Sequence, residues 1–427
     1  MTAPLTAPAG ITRRDLFRGA AGLAVLASLA ATSGCRRAPK EARSSLDRLP
    51  GGDPGALPAA AATLTARVLQ AARSGPANLV LSPFSVQVAL SMVRNGAVGA
   101  TADEMDRVLG IDDLTVHNEE LNSTCQLIES RSGEIEGQEV AVELANSLWG
   151  QQGLEFAEPF LDALAQYYGA GMALTDFAGD SAGAVDDINA WVDDRTHGLV
   201  PEIVTTDLVH AQTRLVLVNA LYLKAPWAVP FDESATSDGP FTTGAGDQVQ
   251  APMMSGSTAT WYEDEHCTAT RRVYLGNDLA MAVAKPKGDI AALLAHWAEG
   301  GLTAMLDGWE RAQVRLQMPR WEHEWRGGLA ELLAEMGMAT AFSDKADFSA
   351  MTAQERLLIG FVEHRATISV DESGTEAAAA TAVGMEPTSA EPERSEDLVL
   401  DRDFAYVIHD VETGTPLFIG VVDDPTA

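Results

Sequence analysis

Ser373–Met385 reads SGTEAAAATAVGM: four consecutive alanines between a Gly-Thr-Glu and a run of small or apolar residues, close to the end of a 427-residue chain. Alanine is the best helix former and a poor strand former, yet the EPTSAEPERSED that follows, Glu386–Asp397, reads as exposed loop. Counting by twos from Thr375 sorts the segment. Thr375, Ala377, Ala379, Thr381, Val383 and Met385 are small or apolar, whereas Glu376, Ala378, Ala380, Ala382, Gly384 and Glu386 hold every charge. That is a strand's alternation, with one face fit for burial. An exposed alanine-rich helix fits EAAAATA equally well. A segment that lives outside as loop or helix and inside as a strand is suited to insertion between existing strands. A bulky or charged side chain at Thr375, Ala377 or Ala379 would stall its entry.

The rest of the chain is globular in composition, 46% hydrophobic and 21% charged, with room for one large core or two domains. Its 29 basic and 61 acidic residues give a net charge of −32. Such a surface repels phosphate backbones, so no nucleic-acid partner is expected, and the charge reads as a solubility or high-salt adaptation. Three cysteines, Cys35, Cys125 and Cys267, build no disulfide framework and match no zinc spacing. The inner two are predicted to be buried small apolar residues. There is no Walker loop, no phosphate-cradling glycine loop and no HExxH, since Glu322-His323-Glu324 lacks the spacing; no cofactor or metal is expected.

Cys35 closes a segment with its own logic. TRRDLFR, Thr12–Arg18, precedes the apolar run Gly19–Ala31 and then Thr32-Ser33-Gly34-Cys35. Charge, a run of about 13 apolar residues and then small residues make a secretion signal too short to span a membrane. The paired arginines resemble a twin-arginine export signal, and Ser33-Gly34-Cys35 resembles a lipoprotein box whose cysteine is acylated. Thr32 departs from the aliphatic residue usual there, and an ordinary signal with an incidental cysteine is the alternative. The expectation is a signal peptide over residues 1–34, lipidated Cys35 and a flexible Pro/Gly-rich tether over 35–60, and one domain over 61–427. The protein would then be exported and held on the cell surface or periplasmic membrane face by its lipid alone.

Within the domain an α+β fold is predicted. Ser82-Pro83 signals a helix start, and Val86, Leu90 and Val93 follow at helical spacing. Further helices are expected over Ala100–Leu109, Ala184–Thr196 and Leu329–Met336. Thr213–Trp227 is a long apolar run that fits a central strand covered on both faces. VRLQMPRW, RATISVDE and the closing FAYVIHDVETGTPLFIGVV fit strands, the last a hairpin through Glu412-Thr413-Gly414. One motif tempts toward catalysis: Gly179-Asp180-Ser181-Ala182-Gly183 fits the G-x-S-x-G of a hydrolase nucleophile elbow between a strand and a helix. A Ser181 nucleophile needs a histidine base in a recognisable loop and an oxyanion-hole glycine motif, and the sequence offers neither. A small polar surface turn is the preferred reading.

Several separate motifs in order resemble the serpin family over Ala60–Asp423. They are NLVLSPFS at Asn78–Ser85 with GAVGAT at Gly96–Thr101, NALYLKAPWAVPFD at Asn219–Asp232, MPRW at Met318–Trp321, ADFSAM at Ala346–Met351, EHRATISVDESGTEAAAATA at Glu363–Ala382, and DRDFAYVIHD with TGTPLFIGVV from Asp401 to Val422. The resemblance implies a large mixed central sheet, smaller sheets, about eight or nine helices and an exposed reactive-centre loop over about 372–397. It implies a non-enzymatic, monomeric inhibitor of serine-type endopeptidases, with a cysteine protease as another possible target. The loop is bait; once cut, it inserts as a new strand and drags the acyl-enzyme along. At about 3.3 Å per residue the steps from Gly374 to Thr388 span roughly 46 Å.

By the family's count the scissile bond is Thr388-Ser389, where a small Thr suits an elastase-like or subtilisin-like enzyme. The stretch Ser389–Leu400 is longer than usual, which leaves Arg394-Ser395 as a rival bond of trypsin-like preference. The implied hinge is Glu372, Gly374, Thr375, Glu376, Ala377, Ala378, Ala379, Ala380 and Thr381, with Ser373 in place of a customary acidic residue. Ser82, Ser85, Asn219 and His364 match the family's buried polar cluster under the opening strands. Arg320 and Glu372 match the pair at the loop's point of entry, with Trp227 nearby as core packing. A non-inhibitory serpin serving as a surface binding lipoprotein is the alternative.

Overall fold

The strand Leu215–Pro226 carries the architecture. Leu215, Leu217, Leu221 and Leu223 pack into the main core with the helix Pro83–Arg94, while Val216, Val218 and Ala220 pack under the helix Ser181–Arg195. Burial on both faces is why the sequence runs apolar without alternation. A computed structural model of the chain describes residues 39–75, 77–375 and 394–427, and Lys40–Ala427 form one unit. Two mixed sheets with helices packed on them realise the predicted α+β class.

The eight-stranded sheet runs, from one edge, Lys40–Ala42, Met172–Thr175, Gln138–Gln151, Leu215–Pro226, Gly374–Thr375, Phe361–Val370 and Trp321–Gly328, with Gly133–Ile135 added on Gln138–Gln151. The nine-stranded sheet includes Glu310–Pro319, Gln248–Glu263, Cys267–Val273, Leu279–Pro286 and the C-terminal hairpin Phe404–Asp410 and Pro416–Val422. Cys125 and Cys267 are buried free thiols, as predicted.

The helix at Pro83 forms where the proline signal placed it and is buried along nearly its whole length. Ser82 makes no side-chain cap there. Gly99–Leu109 and Ser181–Arg195 match two further predicted helices, but the Leu329–Met336 helix is only Ala330–Leu333, continued by a wide turn to Met338 with Gly337 at φ 120°. The G-x-S-x-G motif is a helix start. Asp180 caps it by accepting from the Gly183 N–H, and the Ser181 hydroxyl is spent on the Phe177 carbonyl at 2.7 Å.

The expected tether over 35–60 is corrected from Lys40 onward. Lys40–Ala42 pairs antiparallel with Met172–Thr175, Arg43 donates to the Gly169 carbonyl, and Arg48 reaches Asn122 and Glu129. Gly51 and Gly52 N–H groups end on Gln126 and Ser123, before the helix Leu57–Ala72 begins. These are polar bonds, from backbone pairing to side-chain pairs, so the segment docks with no apolar period to announce it. Residues 1–34 and Cys35 lie outside the described residues.

Candidate functional site

The strands Leu215–Pro226 and Phe361–Val370 form a seam in two states along its length. Phe361–Arg365 pairs directly, in parallel, with Val216–Ala220. At the other end Gly374–Thr375 lies between them, antiparallel to both: Thr375 opposes Ala225 on one side and Val370 on the other. The seam is zipped at its far end and wedged at its near end by the first residues of the alanine-bearing segment. Thr375 is 2% exposed, on the face its parity assigned.

The reversal that feeds the wedge is built by Asp371, whose carboxylate oxygen accepts from the Ser373 N–H and hydroxyl and the Gly374 N–H. This is an Asx turn, and Ser373 is one of its donors. Gly374 is required by close approach: a Cβ there would strike the Ala225 carbonyl and the Pro226 backbone. Glu376, Ala377, Ala378, Ala379, Ala380 and Thr381, together with Thr388 and Ser389, lie outside the described residues.

Around the wedge the entry point is tightly bonded. Glu372 receives two bonds of 2.7 Å from Arg320 and one of 2.6 Å from the Thr236 hydroxyl. Burial pushes the Glu372 carboxyl up, yet Arg320 and Thr236 prevail and hold it below the usual carboxylate range. Trp227 donates from Nε1 to the Asp371 carbonyl at 2.9 Å and stacks on Tyr274 at 4.4 Å between centroids. The Tyr274 hydroxyl in turn meets the Thr375 hydroxyl at 2.7 Å. Trp227 is therefore a bonded part of the entry point as well as core. Tyr274, Thr236 and Asp371 escaped the sequence reading. Of these only Asp371 carried a signal, an Asp two residues before Ser-Gly.

Eight residues down the strand, about 26 Å at the usual rise, sits a second and separate cluster. His364 Nε2 accepts from the Ser82 backbone N–H at 3.0 Å, which fixes its proton on Nδ1, facing Asn219 Oδ1 at 2.6 Å. Burial lowers its pKa to about 4. Ser82 thus takes part through its backbone. Ser85 meets Asn146 at 2.7 Å, and Asn146 opposes Asn219 in the ladder. Ser82 Oγ, Asn146 Nδ2 and Asn219 Nδ2 meet no protein partner among the described residues. The four sequence-derived residues converge at the level where the seam is closed, and Arg320 and Trp227 belong to the entry point instead.

Arg394 is held hard at the loop's other root. Its guanidinium bonds Glu396 at 2.8 Å, Glu310 at 2.6 Å and Glu263 at 3.2 Å, and lies 5.5 Å over the Trp261 ring. Ser395 opens the strand Ser395–Val399, paired in parallel with Gln313–Gln317.

A family model described as "Serpin (serine protease inhibitor)" matches residues 59–425. The leukocyte elastase inhibitor of Bos taurus is 33% identical over 361 residues, covering 82% of this chain and 93% of that one. An uncharacterized serpin-like protein of Thermococcus kodakarensis is 33% identical over 353 residues, covering 82% and 81%. Among solved structures, the thermophilic serpin tengpin in its native state superposes with a TM-score of 0.81 at 24% identity over 91% of this chain and 100% of that one. A tumour-suppressing serpin gives 0.78 at 22% identity over 87% and 100%. At such identities the structures speak for the fold alone, and the family model and curated relatives for descent. This chain belongs to the serpin family, described as one of serine protease inhibitors.

Proposed function

We propose that the protein inhibits a serine-type endopeptidase as a suicide substrate, trapping it as an acyl complex when the cut loop inserts into the eight-stranded sheet. The observation that carries this is the wedge: Gly374–Thr375 already occupies the two places at the head of the seam. What remains below is a parallel contact of Phe361–Arg365 with Val216–Ala220. An inserted strand replaces it with two antiparallel ladders. The reading is tested by incubating the protein with protease. A complex that survives boiling in detergent supports it; clean cleavage with full protease activity would favour the non-inhibitory, surface-binding lipoprotein.

We place the scissile bond at Thr388-Ser389. Cleavage at Arg394-Ser395 would have to strip Arg394 from three carboxylates and peel Ser395 from its strand. The small Thr388 favours an elastase-like or subtilisin-like enzyme, and the name of the Bos taurus relative, leukocyte elastase inhibitor, points the same way. Intact mass of the released C-terminal fragment identifies the bond: a fragment starting at Ser389 is expected, and one starting at Ser395 refutes the assignment. Export, acylation at Cys35 and action as a monomer complete the proposal, and the mass of the mature N-terminus tests the anchor.

A further inference from the structure

We infer that His266 and His296 form a binding site for a divalent transition-metal ion of the zinc or copper type, with Asp264 as the group that orients the second ring. The two imidazoles come from different elements. His266 lies in the turn between the strands Gln248–Glu263 and Cys267–Val273, and His296 is the last residue of the helix Ile290–His296. Their rings stack at 4.0 Å between centroids with 14° between planes. Far apart in the sequence, they share no spacing that points to a metal. The site stands independently of the inhibitor reading.

The placement of protons decides what the rings can do. Asp264 Oδ1 accepts from the N–H groups of His266 and Cys267, both at 2.8 Å, and Oδ2 accepts from the Tyr262 hydroxyl at 3.1 Å. Burial pushes the Asp264 carboxyl up, yet the Cys267 and His266 N–H groups prevail and hold it below the usual carboxylate range. An ionised carboxylate only accepts, so its 3.1 Å contact with His296 Nε2 puts the ring proton on Nε2. Neutral His296 then carries a bare lone pair on Nδ1. A carboxylate that holds one imidazole nitrogen while the other coordinates is the usual support of a metal-binding histidine. Gly301 leaves the ring room: a Cβ there would strike Nε2 and Cδ2, the edge opposite Nδ1. The backbone of the turn is held as well, the Lys287 N–H donating to the His266 carbonyl at 2.8 Å.

His266 completes the pair. Neither of its ring nitrogens, nor Nδ1 of His296, meets a protein partner among the described residues, and none of the three is sealed from solvent. Two ligands at Zn–N of about 2.0–2.1 Å need their nitrogens about 3–3.5 Å apart, which rings stacked this closely supply when both turn a bare nitrogen to the same edge. Cys267 adds no thiolate, because burial pushes its thiol up and keeps it protonated. Among the described residues no three His, Cys, Asp or Glu side chains close on a metal position. The protein thus supplies two nitrogens and water completes an open shell. Imidazole ligands select zinc or copper over magnesium or calcium.

Calorimetric titration of the full chain with zinc chloride tests the site, in a magnesium buffer that occupies the surface carboxylates. One ion per chain is expected. His266→Asn and His296→Asn should each weaken binding about tenfold or more, and Asp264→Asn about 10- to 100-fold. His197→Asn removes another exposed ring, paired with Glu143, and should leave binding unchanged. A second readout needs no variant: the copper(II) form should show hyperfine splitting from two imidazole nitrogens in its paramagnetic resonance spectrum. No zinc bound by the wild-type chain, equal affinity in His266→Asn or His296→Asn, or a copper spectrum of oxygen ligands alone overturns the site. Equal affinity in Asp264→Asn overturns the orienting role given to that carboxylate.

Discussion

His364 shows how a single buried ring makes the seam answer to pH. Its Nε2 is occupied by the Ser82 N–H, so a second proton has no acceptor to meet, and burial has lowered its pKa to about 4 from an ordinary value near 6.5. The folded chain binds that proton less readily than the unfolded chain. The stabilisation is complete above pH 6.5 and lost as pH falls from there toward 4, about 3 kcal/mol over the whole span. His117, His323 and His409 are lowered to about 4 by burial and act in the same sense. The melting temperature of the uncut protein should hold steady near neutrality and fall steeply between pH 6.5 and 4. His364→Gln should flatten part of that fall, and an unchanged profile would show that the proton is taken up elsewhere.

Also at this scale, Tyr274→Phe removes the hydroxyl that meets Thr375 and leaves the stack on Trp227. The uncut fold should lose about 1 kcal/mol, read as a lower denaturant midpoint; an unaltered midpoint would mean the contact holds nothing. Such partners were illegible in the sequence. Tyr274 lies 101 positions from Thr375 and Thr236 lies 136 from Glu372. Side-chain pairs of that separation leave no local periodicity. The seam cluster was legible through family motifs, but Ser82 acts through its backbone, which no side-chain pattern reports.

At the scale of elements the proposed inhibition turns on the wedge. Thr375 is buried between two strands, so Thr375→Arg would force a guanidinium into the core beside Val370 and Ala225. Cleavage should proceed at its normal rate while the detergent-stable complex disappears, leaving a plain substrate; undiminished trapping by this variant would count against insertion. Alternation counted from Thr375 put that residue on the buried face, where it lies, while the alanines that left helix and strand level lie outside the described residues. The tether shows the opposite case. Residues 40–52 read as linker because their composition is polar with Pro and Gly, yet their bonds fix them along the helices Leu114–Glu129 and Glu158–Tyr168. Composition reports what a segment could bury, and this one is held by bonds instead.

On the scale of the whole domain, the two ends of the sheet have different work. Lys40–Ala42 joins Met172–Thr175, which pairs with Leu148–Gln151, which in turn faces Leu215–Leu217. The described N-terminal end therefore lies at the end of the sheet opposite the wedge, where Gly374 pairs with Pro226. A fully inserted loop would bring its cut end, and any enzyme attached to it, toward that same end. The strand Leu215–Pro226 and the closing hairpin were legible because their apolar runs are long and the hairpin turn carries Gly, whereas Gln138–Gln151, Gln248–Glu263, Cys267–Val273 and Leu279–Pro286 went unread. The neighbours of Gly374–Thr375 were not legible either, since they depend on which strands meet across the fold.

The most direct measurement is the melting temperature before and after a single nick at Thr388-Ser389. A dozen new ladder bonds at about 1 kcal/mol each predict a rise of about 10 °C or more. A nicked chain that melts where the intact chain melts would contradict insertion, and with it the claim that the uncut fold is held short of its most stable form.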